Sequence, residues 1–255
     1  MAMRACRRER GFTLAELMVV CALVGVLAAL LAPALARAFE IADETACASN
    51  LRQIGFAVAL YLKDSGGEFF PVRESRPGGV LWYFGFEPGG SASRGEGRRT
   101  LDRTQARLYP YLQSYETVEI CPAFDYNGAY KPKYEGKWWT YGVNLELAGM
   151  TRGRSLLQVR GPDAARTVVF ADAAQVNTFQ APASASNPLI EEWFYVQPGA
   201  RYVHFRHGGR ANVLMADWHI ESLGPAPGSY DPRLPGARIG YFRPEDVLFR
   251  PRGAL

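Results

Sequence analysis

The chain has 255 residues, 48% of them hydrophobic and 21% charged, with 29 Lys+Arg against 25 Asp+Glu; this balance excludes a disordered polyelectrolyte, a coiled-coil rod and a polytopic membrane protein. Its 13% aromatic content, 26 Gly and 17 Pro favour strands and turns over a helical bundle, in one large domain or two small ones. The formal charge of +4 is concentrated at the start and falls to +1 without residues 1–11, and the other arginines, Arg98-Arg99 and those of 233–252 among them, read as solvated loop residues, so no nucleic-acid partner is expected.

The first element is an apolar run. From Leu17 to Ala36 no residue is charged, and about 20 such residues suffice for a helix to cross the hydrocarbon layer. Arg4, Arg7, Arg8 and Arg10 precede it, a bias that keeps the amino terminus cytoplasmic and places the bulk of the chain outside. A signal peptide cut after Ala34-Leu35-Ala36 and a plain anchor both accommodate the run. Neither accounts for Glu16, an acid at its start whose unpaired burial costs on the order of 2 kcal/mol or more.

The stretch Gly11-Phe12-Thr13-Leu14-Ala15-Glu16 resembles the leader of type IV prepilins and type II secretion pseudopilins. That resemblance implies cleavage between Gly11 and Phe12 by a prepilin peptidase and N-methylation of Phe12. It also implies that Glu16 sets assembly register by pairing with the Phe12 ammonium of a neighbouring pilin or pseudopilin subunit. Pro33 falls where the family's long helix carries a proline kink. The implied location is the inner membrane, as a single pass with a periplasmic head, and in an extracytoplasmic filament.

Beyond Arg37, Cys47, Leu51, Ile54, Val58 and Tyr61 recur at spacings of four, three, four and three, an apolar stripe on a helix that needs a cover. Asp64-Ser65-Gly66-Gly67 ends it. The organisation expected is therefore a leader at 1–11, a transmembrane helix at 12–36, an amphipathic half at 37–64, a β-rich head at 65–223 and a proline-rich tail at 224–255 that is laid over the surface or partly disordered. Strands are expected at Val80–Phe86, Thr117–Ile120, Trp138–Val143, Thr167–Ala171, Trp193–Val196, Ala211–Ala216 and Trp218–Leu223, with a weak helix at Leu101–Gln113. The fold class is α+β, a long amino-terminal helix packed against an antiparallel sheet in the manner of a pilin.

Cys47-Ala-Ser-Asn-Leu-Arg-Gln-Ile-Gly55, Cys121-Pro122, Val168–Asp172 and the run from Arg206-His207 to Asp217 are similar to prepilin-like proteins with an H-x9-D-G domain. His207 and Asp217 carry the family spacing, and Trp218 stands where that family has glycine. Cys47 and Cys121 are the two cysteines of the expected head. A disulfide bridging helix to sheet is expected of them, with two buried thiols as the alternative.

Metal and hydrolytic readings of His207, His219, Asp172 and Asp217 lack ligand pairs at a known metal spacing. Hairpin and turn roles for His207 and Asp217 are the plainer expectation, and no metal or cofactor is assigned. The motifs of common enzymes are absent from the sequence, so no catalysis is expected. Trp82, Trp138, Trp139, Trp193 and Trp218 leave open a membrane-tethered head that binds glycans or secreted cargo.

Overall fold

The computed structural model describes residues 12–112, 114–153 and 161–250; Gly11, and with it the leader, lies outside them. The chain divides into two compact units, Met1–Ile41 and Ala42–Leu255, and helix α1 (Leu14–Asp64) contributes to both. Its first half is apolar and exposed throughout, with a mean hydropathy of 2.6 over 18 residues, long and apolar enough to cross a membrane.

The second half of α1 buries Cys47, Leu51, Ile54, Gly55, Ala57, Val58 and Leu62. This stripe lies on a five-stranded sheet ordered β11-β10-β5-β4-β8, built from β4 (Tyr141–Asn144), β5 (Val168–Asp172), β8 (Tyr195–Val196), β10 (Ala211–Met215) and β11 (Ile220–Leu223). All pairs are antiparallel except β4 with β8. The fold is thus α+β, a long helix packed against a largely antiparallel sheet. Asn50 Nδ2 donates to the Ile120 carbonyl at 3.0 Å and Asn212 Nδ2 to the Glu44 carbonyl at 3.3 Å, fixing the helix to the head by polar as well as apolar contacts.

Every residue of β5 and β10 is buried, because the sheet is covered on both faces. Phe170 and Leu214 face α1, whereas Ala171, Val213 and Met215 join a second core with Phe205, Phe242 and Val247. A bulge lets Met215 pair with Val168 after Leu214 pairs with Phe170, so Val169 is the extra residue and the facing of β5 changes there. Residues 224–250, expected as a tail laid over the surface or partly disordered, are ordered and cover this second core. Its strand β12 (Ile239–Gly240) pairs with β9 (Val203–His204), and Leu248 bridges Thr167.

Val80–Phe86, expected as one strand, is a hairpin. In it β2 (Gly79–Trp82) pairs with both β1 (Arg73–Arg76) and β3 (Gly85–Pro88). Pro77-Gly78, with Gly78 at φ 83°, makes the first turn. The second turn sends Tyr83 and Phe84 into the core, and the Tyr83 hydroxyl donates to the Tyr141 and Phe194 carbonyls at 3.0 and 2.7 Å. Thr117–Ile120 is no strand: Tyr115–Val118 is a helical turn, α2, whose buried Tyr115 and Val118 lie three apart on one face. Leu101–Gln113, expected as a helix, holds two 3-10 turns, Arg103–Gln105 and Tyr109–Tyr111; Gln113 lies outside the described residues. Strands β6 (Ala174–Asn177) and β7 (Leu189–Glu192) form a separate hairpin.

Charges also enter the head. Lys131 is fully buried, its Nζ 2.5 Å from Glu96 Oε2 and 3.5 Å from Glu191 Oε2, and Lys133 Nζ stands 3.0 Å from Glu191 Oε1. Arg99, expected as a solvated loop residue, has a side chain only 13% exposed, 2.7 Å from Glu87 and over the Tyr134 ring. Buried charges persist only when paired in this way.

Candidate functional site

At the amino end, Thr13 caps α1. Its backbone N–H and its hydroxyl each donate to Glu16 Oε2 at 2.8 Å, and the Glu16 N–H donates to Thr13 Oγ1 at 3.3 Å. This reciprocal pair is a capping box, which satisfies N–H groups that a first helical turn otherwise leaves open. Thr-x-x-Glu is its sequence signature, and reading Glu16 solely as an intersubunit acid overlooked it. Phe12 is exposed beside it. Pro33 lies within α1, which continues through it as helix although the proline removes one backbone donor.

In the head, Cys47 and Cys121 are joined as a disulfide with Cα atoms 5.1 Å apart, and both are buried. Cys121 follows the α2 turn and its N–H donates to Thr140 Oγ1 at 2.8 Å. His207 opens a tight hairpin through Gly208 (φ 57°) and Gly209 (φ 86°), with reciprocal backbone bonds to Arg210 of 3.0 and 2.9 Å. Positive φ at two successive residues is what glycine supplies without strain. The turn drives the imidazole inward, where Nε2 stands 3.6 Å from Cys121 Sγ and 3.1 Å from Asp172 Oδ2.

Asp172, at the end of β5, also accepts from the Asn212 N–H at 2.8 Å. Its other oxygen faces Arg206 Nε at 3.7 Å. Arg206 donates to the Thr140 and Ala173 carbonyls, both at 3.0 Å, and lies over the Phe124 ring. Burial holds the neighbouring His204 imidazole well below its usual pKa.

Two further acids are held in the interior. Burial pushes the Glu119 carboxyl up to about 8, outweighing Arg103, whose guanidinium stands 2.9 Å away. Glu192, which accepts from the Tyr130 hydroxyl at 2.6 Å, is likewise raised to about 8 by burial. Sequence reasoning missed both, although Glu191-Glu192 inside an otherwise apolar run was a visible signal.

His207 and Asp217 do not meet. They stand beyond opposite ends of β10, the first buried and the second exposed at the β10–β11 turn. There Asp217 Oδ1 accepts from the His219 N–H at 3.3 Å and from its ring Nδ1 at 2.5 Å. A hydrolytic centre made of His207, His219 and Asp217 is therefore ruled out by position. The turn itself is preserved, since Trp218 takes the positive φ, 73°, that glycine would take. Of the tryptophans considered as a glycan platform, Trp138 and Trp139 are fully buried and Trp82, Trp193 and Trp218 are partly buried against the core.

Residues 6–32 match the family model described as the prokaryotic N-terminal methylation motif. The chain is 41% identical over 63 residues to type II secretion system core protein G of Escherichia coli (strain K12). That match takes in 25% of this chain and 43% of the relative. No solved structure matches. The amino-terminal segment is thus of the prepilin type, and the chain is pseudopilin-like in the quarter that aligns.

Proposed function

We propose that the chain is a prepilin-like subunit. A prepilin peptidase cuts between Gly11 and Phe12, the new Phe12 amine is methylated, and α1 anchors the product in the inner membrane with the head on the periplasmic side. Subunits then assemble with other pilins or pseudopilins into a type IV pilus or a type II secretion pseudopilus. The methylation-motif match at residues 6–32 carries this reading, and the exposed apolar first half of α1 supports it, since such a surface needs lipid or neighbouring helices to cover it. In the assembled state Glu16 exchanges part of its Thr13 pairing for a neighbour's Phe12 ammonium, which is how one carboxylate serves both helix start and register. The head is of the H-x9-D kind, with His207 and Asp217 flanking β10, and the subunit works by assembly rather than turnover.

Intact-mass spectrometry of the chain co-expressed with a prepilin peptidase tests this. The expected mass lacks residues 1–11 and gains one methylene. A native amino terminus at Met1, or near residue 37, overturns it. Glu16→Ala should leave processing intact and lower co-assembly with partner pilins; unchanged co-assembly removes the register role.

A further inference from the structure

The disulfide is not alone in its pocket. The sulfurs of Cys47 and Cys121 and one ring nitrogen of His207 all lie within 4.8 Å of one another, and all three residues are buried. We propose that this cluster is a binding site for zinc(II), or a cation of the same soft class, that forms when the Cys47–Cys121 bond is reduced.

The distances already present fit such a site. A tetrahedral zinc holds sulfur at about 2.3 Å and imidazole nitrogen at about 2.0–2.1 Å, which sets ligand sulfur and nitrogen roughly 3.6 Å apart. Cys121 Sγ and His207 Nε2 stand 3.6 Å apart. The two sulfurs must separate, to roughly 3.8 Å by the same bond lengths, and Cys47 Sγ, which lies within 4.8 Å of the imidazole nitrogen, must settle at the same sulfur–nitrogen spacing. That movement falls to the Cys121 side chain, in the connection after α2 with its backbone N–H kept on Thr140 Oγ1, because Cys47 is held on α1.

The charges balance as well. Two thiolates neutralise the dication, while Asp172, 3.1 Å from His207 Nε2, is offset by Arg206. The chemistry closes in two steps. A phosphine and one water convert the disulfide to two thiols and leave a phosphine oxide; zinc then releases both thiol protons to solvent and takes the Nε2 lone pair, the imidazole proton moving from Nε2, where it faces Asp172 Oδ2, to Nδ1, while Asp172 keeps the Asn212 N–H. Oxidised and metal-bound forms are mutually exclusive, since each uses the same sulfur electrons.

The test uses the full-length chain in detergent with Cys6→Ser and Cys21→Ser, leaving two thiols. It is reduced with phosphine in mild denaturant, returned to native buffer with cobalt(II), and checked for folding by circular dichroism and for free thiols by alkylation mass. One cobalt per chain with a thiolate-to-metal charge-transfer band is expected, displaced by zinc and absent from the oxidised protein. His207→Ala should weaken binding by about tenfold or more. Because that variant can also loosen the fold, the parent chain carries a second readout: zinc should protect both thiols from alkylation, and calcium should not. A folded, reduced chain with no charge-transfer band, equal affinity in folded His207→Ala, or no protection by zinc overturns the proposal.

Discussion

Trp218 lies over Gly55 of α1: a Cβ built at Gly55 would stand 3.7 Å from Trp218 Cε3 and 3.1 Å from Leu214 Cδ1. The helix therefore approaches the β10–β11 hairpin closely enough that a methyl here would press on the end of the Leu214 side chain, and the indole covers the junction.

This contact predicts an asymmetry at position 55. In Gly55→Ala the new methyl displaces only the end of the Leu214 side chain, and the gain of about 1 kcal/mol in helix propensity offsets it, so stability should change little. Gly55→Val adds two further methyls with nowhere to go and should cost about 1–3 kcal/mol. Urea unfolding of the detergent-solubilised full chain separates the two; equal losses would mean the interface does not close as described.

Trp218→Gly sets backbone relief against packing. The substitution removes a left-handed strain on the order of 1 kcal/mol. It also removes an indole whose full burial elsewhere is worth about 3–5 kcal/mol, and Trp218 is partly buried. A net loss of about 1–2 kcal/mol is expected in the same assay, and a more stable variant would show that the turn, not the contact with α1, dominates here.

The disulfide closes a span of 74 residues. The loop-entropy estimate for that span is about 4 kcal/mol, so Cys47→Ser with Cys121→Ser should lower the thermal midpoint well beyond any surface change. The oxidised parent should also weigh two hydrogens less than its reduced form.

Glu119 and Glu192 titrate near 8 in the folded chain and near the ordinary carboxyl value when unfolded. The folded state then holds protons that the unfolded state has lost, so stability falls as pH rises from about 5 to about 8, by up to about 1.4 kcal/mol per unit for each group. Glu119→Gln should flatten that decline, leaving stability at pH 5 nearly unchanged and raising it at pH 8. An unaltered slope would show that Arg103 keeps the carboxylate ionised.

Lys131→Met removes the cation that Glu96 and Glu191 share, leaving Glu96 with Arg99 and Glu191 with Lys133. Removing one member of a buried ionic cluster should cost about 3–5 kcal/mol. A calorimetric midpoint within a degree of the parent would mean that Lys133 and Arg99 suffice for the two carboxylates.

What could be read from the residues follows physical reach. The 3.6-residue stripe from Cys47 to Val58 and the apolar blocks at Thr167–Ala171 and Ala211–Ala216 announce their elements because each repeats one local requirement. The hairpin at Tyr83-Phe84 did not announce itself: its turn uses aromatics that bury outward-bound positions, a choice made by the core rather than by turn chemistry. The role of residues 224–250 was equally hidden, because Phe242 and Val247 acquire a partner only when β10 presents its far face. For the His207 cluster, spacing pointed to Asp217, yet the fold supplies Asp172 and Cys121 instead, residues 35 and 86 positions away. A pair separated by an entire strand cannot share a site on that strand's two ends.

The covering of the central sheet on both sides limits how this head can engage anything else. With the second half of α1 on one side and residues 224–250 on the other, the central sheet offers a visiting molecule, among the described residues, its rims: a four-residue β11 and a two-residue β8. The two broad faces of that sheet are thereby closed to any partner, and change at its rims and connections can leave the scaffold beneath them as it is.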